Sequence, residues 1–225
     1  MEVMMKPGQV RRAKEVARRS PGRRERRKLA TRAALLDATQ ALLASRSMDA
    51  LSVDEIVQRA DVARGTFYNY FADKDALERE LAAHVRTRVE NDIARTNEGI
   101  GDPVERIARA FCCVLRFFLR EREQAAAMAR LFPRATDPAA PINSGVRGDV
   151  TKGFEQGRIA APSEDVAVAS IVGVFMAGVN RALDLPSGKA GALAIGMGTI
   201  LLHGLGVRRT QAERIMTRAV QSVLR

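Results

Sequence analysis

Apolar residues recur along this chain at intervals of three and four and rarely at alternate positions, a spacing that predicts helices throughout. Leu35, Ala38, Leu42 and Leu43 mark a first helix that grows out of the basic run Arg23 to Lys28 and fades at Ser45-Arg46-Ser47. Val53, Ile56, Val57 and Ala60 form one face of a short helix. After the tight connection Asp61-Val62, a second short helix runs from about Ala63 to Phe71, with Phe67 and Phe71 one turn apart. Leu77, Leu81, Val85 and Val89 belong to a long helix that ends near Gly99. Val104, Ile107, Phe111, Leu115, Phe118 and Leu119 line the next, and a shorter helix ends before Pro133. Arg134 to Pro141 reads as loop, and Ile142 to Gln156 as a helix whose start is blurred by Gly145, Gly148 and Gly153. Two apolar helices follow, from Ser163 to about Leu183 and over 189–206, separated by Pro186-Ser187-Gly188.

Capping residues fix several starts. Ser52-Val53-Asp54-Glu55 reads as a capping box, in which the Ser52 hydroxyl takes the Glu55 N–H and Glu55 reaches back. Asp73 opens the long helix, Asp102-Pro103 the next, and Ser163 the first apolar one. Thr210-Gln211-Ala212-Glu213 is expected to cap the last helix. These elements predict an all-α chain. Residues 1–22 read as a disordered basic arm, 23–78 as a three-helix domain with a helix-turn-helix, and 79–225 as a larger helical domain, to which the resemblance described below gives ligand binding and dimerisation.

Composition agrees: Ala, Leu, Arg and Glu dominate, only 4% of residues are aromatic, and there is no Trp. Charge adds a partner. The chain carries a formal +11, but residues 1–32 hold 12 Lys/Arg against 3 Asp/Glu, and 33–80 hold 5 against 9. The helix-turn-helix region is therefore acidic, and attraction to a polyanion must come from the arm and from Arg23, Arg24, Arg26, Arg27 and Lys28. The two cysteines, Cys112 and Cys113, are adjacent and cannot pair with each other in a helix. Absence of a disulfide framework and of a hydrophobic leader points to the cytoplasm. Ala190 to Val207 lacks Lys, Arg, Asp and Glu, but its five glycines, Thr199 and His203 suit a buried interface helix better than a membrane span.

Within LSVDEIVQRADVARGTFYNYFADKDAL, residues 51–77, the outward residues of the second short helix are Arg64, Thr66, Tyr68, Asn69 and Tyr70. Each can donate a hydrogen bond, and no carboxylate of that helix interrupts them, which suits a phosphate-lined groove. Gly65 removes bulk near the helix start and allows close approach to a backbone. The segment resembles the TetR (tetracycline repressor-type) family. The resemblance lies in Ser52, Asp61-Val62, Gly65-Thr66-Phe67-Tyr68-Asn69-Tyr70-Phe71 and Lys74, and covers roughly residues 29–80. It implies that 63–71 lie in the major groove, with Ser52, Tyr68 and Lys74 on phosphates. Arg64, Gly65, Thr66, Asn69 and Tyr70 would face bases or nearby backbone.

The resemblance also implies a homodimer through the helices near 163–183 and 189–206, where Ala169, Gly173, Ala177, Gly196 and Gly198 would permit close approach. An effector pocket would lie among Phe111, Leu115, Phe118, Met128, Phe132, Phe154, Phe175 and Met176, with Asn180 and Arg181 as polar anchors. The expected partners are a palindromic double-stranded operator, a second copy and a small-molecule effector, with no membrane and no cofactor. Catalysis and metal binding find no support: His84 and His203 lack ligand spacing, and no nucleophile elbow or phosphate-binding glycine loop occurs. The same residues leave open a protein-partner-controlled or structural DNA-binding role without a small-molecule ligand. An all-helical enzyme or a lipid-surface protein using the basic arm is a third reading.

Overall fold

The computed structural model describes residues 22–120, 122, 125, 141–186 and 188–224. Residues 1–21 of the arm, Ser187, Met128, Phe132 and the expected elements between Arg120 and Pro141 lie outside them. Among the described residues the chain is helical without strands: α1 (Arg23–Leu42), α2 (Val53–Arg59), α3 (Arg64–Tyr68), α4 (Lys74–Thr96), α5 (Pro103–Arg120), α6 (Ser144–Glu155), α7 (Glu164–Leu183), α8 (Ala190–Gly204) and α9 (Arg209–Ala219). Short 3-10 turns at Met48–Ala50 and Pro141–Asn143 precede α2 and α6, and a π-turn at Val220–Leu224 follows α9.

Most starts are where the capping residues place them. Ser52 and Glu55 make the full box, Asp73 accepts the Ala76 N–H, and Ser163 accepts the Val166 N–H. Asp102 accepts the N–H groups of Val104 and Glu105 at 2.8 and 3.3 Å. The last helix differs from expectation. Its N-cap is Arg208, with no side-chain cap, and Thr210 already lies inside α9. Gly206, at φ +92, turns the chain so sharply after α8 that Arg208 can open the helix directly. A Cβ at Gly206 would also sit 2.8 Å from that of Ala160, so both the angle and the space require glycine.

α4 links the two ends of the molecule. Its buried stripe, Leu77, Leu81, Val85 and Val89, packs on α1 at one end and α5 at the other. Arg32 of α1 pairs with Glu80 near the start. At the far end the Arg109 guanidinium donates to the Thr96 carbonyl, and Arg106 donates to Asn97 and Ile100 while its Nε reaches Asp149 of α6 at 2.5 Å. Burial pushes the Asp149 carboxyl above its ordinary range, against the pull of Arg106.

α5 is the hub of the larger helical part, buried along most of its length and packed on α4, α6, α7, α8 and α9. Phe111 stacks on Phe175 of α7, with ring centroids 5.0 Å apart, and its ring fills the space a Cβ at Gly178 would need. Cys112 and Cys113 are buried in this helix. Burial pushes the Cys112 thiol up to about 12 and raises Cys113 as well, so neither is a nucleophile at neutral pH. α8 spans only 15 residues, about 22 Å, short of a hydrocarbon core of roughly 30 Å. α7 is long and apolar enough to cross a membrane by length and composition, but 44% of its most apolar window is buried inside the molecule.

The small residues of α7 and α8 serve two purposes, and this corrects one expectation. Gly173 and Gly196 face open space. Gly198 is buried, and a Cβ there would collide with the Met216 side chain of α9. It belongs to the core of one chain rather than to an interface between two. Gly198→Leu should therefore lower the urea-unfolding free energy by about 1–3 kcal/mol through overpacking. Gly173→Leu, in open space, should instead raise it by about 0.5–1 kcal/mol through helix propensity.

Candidate nucleic-acid interface

α2 and α3 are joined by Asp61, which adopts φ +53 and is one of the few residue types to tolerate that left-handed turn. The Val62 N–H closes the turn on the Val57 carbonyl at 3.0 Å. A helix of five residues does not persist alone. α3 is held by Phe67, fully buried, whose ring lies 5.6 Å from that of Phe71.

This anchor leaves Arg64, Gly65, Tyr68 and Asn69 exposed, with Tyr68 52% accessible. Thr66 and Tyr70 are half-buried and turned toward α1, so the outward face is narrower than the five donors read from sequence. A Cβ at Gly65 would meet nothing within 4 Å, so packing within the chain does not explain glycine there.

The first turns of α1 are solvent-exposed from Arg23 to Ala30, and the helix becomes buried only from Leu35 onward. Its basic start stands beside α3. Arg24, Glu25, Arg27, Lys28 and Thr31 form one wall of an open cleft, with Asp61, Val62, Thr66, Asn69 and Tyr70 on the other. The structure thus brings together two sets of residues that the sequence presented separately. It leaves Arg23 exposed nearby but outside the cleft lining.

Ser52 and Lys74 have partners within the chain. The Ser52 hydroxyl donates to Glu55 Oε2 at 2.8 Å and accepts the Glu55 N–H at 3.2 Å. Lys74 Nζ donates to the Leu51 carbonyl at 2.8 Å, with those of Asp49 and Met48 at 3.3 and 3.4 Å. Lys74 thereby ties the start of α4 to the turn before α2, and a phosphate at this point would compete with those carbonyls. The Ser52 backbone, its hydroxyl and Arg46 hold the Glu55 carboxyl down to about 2.

Sequence reading missed Asp54. Its carboxylate, in the first turn of α2, lies 2.8 Å from Arg64 Nη1 through both oxygens. The available signal was the proximity of the two helix starts that a tight turn enforces. Nearby Tyr68 and then the charge of Asp54 raise the Arg64 guanidinium above its ordinary value.

A second, apolar cavity of about 60 Å³ lies among α4, α5, α6 and α7. Of the expected pocket residues, Phe118, Phe175 and Met176 line it, together with Val89, Ile93, Val114, Ile142, Val146 and Val172. Phe111 and Leu115 do not, because they fill the core between α5 and α7. Phe154 is half-buried outside the lining, and Asn180 and Arg181 lie on the exposed face of α7.

Residues 35–81 match the family model for bacterial regulatory proteins of the tetR family. The match places a TetR-type DNA-binding region at residues 35–81. It is 33% identical over 126 residues to the HTH-type transcriptional repressor KstR of Rhodococcus jostii (strain RHA1), a match covering 54% of each protein. The chain thus spans about half the length of this curated relative. The crystal structure of RolR in complex with resorcinol aligns over 86% of this chain and 96% of RolR, at 27% identity and a TM-score of 0.60. A gamma-butyrolactone receptor (ArpA-like protein) shares the fold, with 22% identity, a TM-score of 0.63, and coverage of 87% and 98%.

The geometry of the cap makes a pH prediction. Because the Glu55 carboxyl is depressed on folding, the box contributes stability above its ordinary value of about 4.5. That contribution is lost as pH falls through about 2. In an NMR titration Ser52→Ala should raise the Glu55 midpoint part of the way, because the Ser52 backbone N–H bond survives; an unchanged midpoint would assign the depression to that backbone bond and Arg46.

Proposed function

We propose that this chain is a dimeric DNA-binding transcriptional repressor that reads a palindromic operator with α3 and is released by a small-molecule effector. The observation that carries the reading is the cleft in which the exposed basic start of α1 faces Thr66, Asn69 and Tyr70. A phosphate backbone seated there would meet Arg24, Arg27 and Lys28 while α3 presents Arg64, Tyr68 and Asn69 to the major groove. Gly65, free of internal contacts, lets the duplex approach. Ser52 and Lys74 contribute by setting the position of α2 and α4, and reach phosphate only by giving up hydrogen bonds they already make.

The dimer forms through α7 and α8. Val166, Ser170, Ala177 and Asn180 share an exposed stripe of α7, with half-buried Gly173 among them, and Ala192, Gly196, Ile200 and His203 one of α8. Ile200 is 74% accessible and Val166 47%, large apolar residues that a second copy would cover. Two such domains would read half-sites roughly 34–36 Å apart.

The effector enters the cavity lined by Phe118, Phe175 and Met176. RolR, a relative of this fold, is seen with resorcinol, which supports a compact ligand there. The cavity itself encloses only about 60 Å³, well below the roughly 300 Å³ of a small ligand site, so binding requires side chains such as Met176 to move. That size also favours a second reading, control by a protein partner without a small-molecule ligand.

Selection of bound duplexes from a random pool, followed by a screen for compounds that release them, tests the proposal. The expected outcome is a palindrome bound by a dimer. Ile200→Arg should yield a folded monomer that loses the operator. Deleting residues 1–28 should weaken random-duplex binding and flatten its salt dependence. A wild-type monomer that holds the palindrome tightly would overturn the dimer. Tight operator binding with no releasing compound would support control by a partner.

A further inference from the structure

Arg64 opens α3, and Asp54 lies in the first turn of α2; the Asp61 turn brings the two side chains together across ten residues. Arg64 Nη1 stands 2.8 Å from both Asp54 oxygens, and Tyr68 follows one turn further along the same helix. The pair sits in solvent, with 61% and 63% of the two side chains accessible. An exposed ion pair of this kind contributes little to stability, so the fold does not explain it. What it does is fix the direction of a long, flexible side chain on the face proposed to meet DNA.

We infer that Asp54 is a positioning residue that holds Arg64 for a two-pronged contact with the neutral acceptors of a guanine edge in the major groove, and turns it away from phosphate. The inference rests on α3 being the recognition helix. Two physical points carry it. A phosphate on Arg64 would place two like charges side by side, because Asp54 already occupies Nη1, whereas guanine N7 and O6 bring no net charge. Asp54 engages Nη1 alone, which leaves Nε and Nη2, a pair spaced for a bidentate contact, uncommitted to it. Restricting the guanidinium before binding also lowers the ordering cost of reading the base.

The test uses the full chain and the sequence it selects from a random duplex pool, with every base pair of one half-site varied in turn. The wild-type protein should prefer guanine at one position of each half-site by about ten- to a hundredfold. Arg64→Ala should abolish that preference and leave the other positions intact; Arg64→Lys should not restore it, having no fork. Asp54→Ala and Asp54→Asn should both reduce the preference while raising affinity for random duplex, since a negative charge leaves the interface. In the Arg64→Ala background, Asp54→Ala should no longer change the preference at that position. Melting temperatures within a few degrees of wild type confirm that the folds are intact. An unchanged guanine preference in both Asp54 variants overturns the inference, as does an Arg64→Ala protein weakened equally on all sequences with its salt slope lower by about one, the signature of a phosphate contact. A wild-type chain that selects no sequence overturns the reading of α3 itself.

Discussion

The face proposed to meet DNA depends on the burial of one ring. α3 has five residues, too few to hold a helical turn in water by their own hydrogen bonds. Phe67 supplies what those bonds cannot, by removing its whole side chain from solvent against Phe71 and the core that α1, α2 and α4 share. Once Phe67 is fixed, the periodicity of the helix fixes which neighbours face outward. Arg64 and Tyr68, four residues apart, stand together on one side, while Thr66 and Tyr70 turn toward α1. The capping box of α2 and the Lys74 bonds to the preceding turn secure the frame around that ring.

Charge is divided between elements in a way that complements this frame. The helix-turn-helix region is acidic, and the cations that face a polyanion come from the exposed start of α1. On the proposed reading this arrangement separates general attraction, supplied by Arg24, Arg27 and Lys28, from selective contact, supplied by α3. A carboxylate beside Arg64 is tolerable only because the attraction is provided elsewhere. The acidic balance of the domain is then compatible with binding rather than opposed to it.

The sequence announced the helices, most of their starts and the outward side of α3, because caps and three-four spacing are local and need only a few neighbouring residues. Ser52, Asp73, Asp102 and Ser163 cap as their positions require. What escaped was set by contacts between distant segments. Thr210 has the chemistry of a cap, but the Gly206 turn starts α9 before it. Gly173 and Gly198 look alike in sequence, and only the Met216 side chain, 18 residues on, tells the buried one from the open one. Phe111, Phe118 and Phe175 are equally apolar, yet Phe111 closes over Gly178 while the other two border the cavity. Asp54 and Arg64 meet because of a turn whose angle no residue count reveals.

The ties at the end of α4 have a mechanical consequence. Arg109 grips the Thr96 carbonyl and Arg106 those of Asn97 and Ile100, so the far end of this 23-residue helix is a fixed point. Ile93 and Val89 lie three and seven residues from Thr96, roughly 5 and 10 Å along the axis, and Lys74 lies 22 residues away, roughly 33 Å. A rigid rod pivoting about Thr96 multiplies a sideways push at the cavity about three- to sevenfold by the time it reaches the helix-turn-helix. On the proposed reading an occupant need displace Val89 by only a fraction of an ångström to carry α3 out of register with its groove. Loosening the Arg106 and Arg109 clamp would remove the fulcrum, leaving a helix that moves without transmitting.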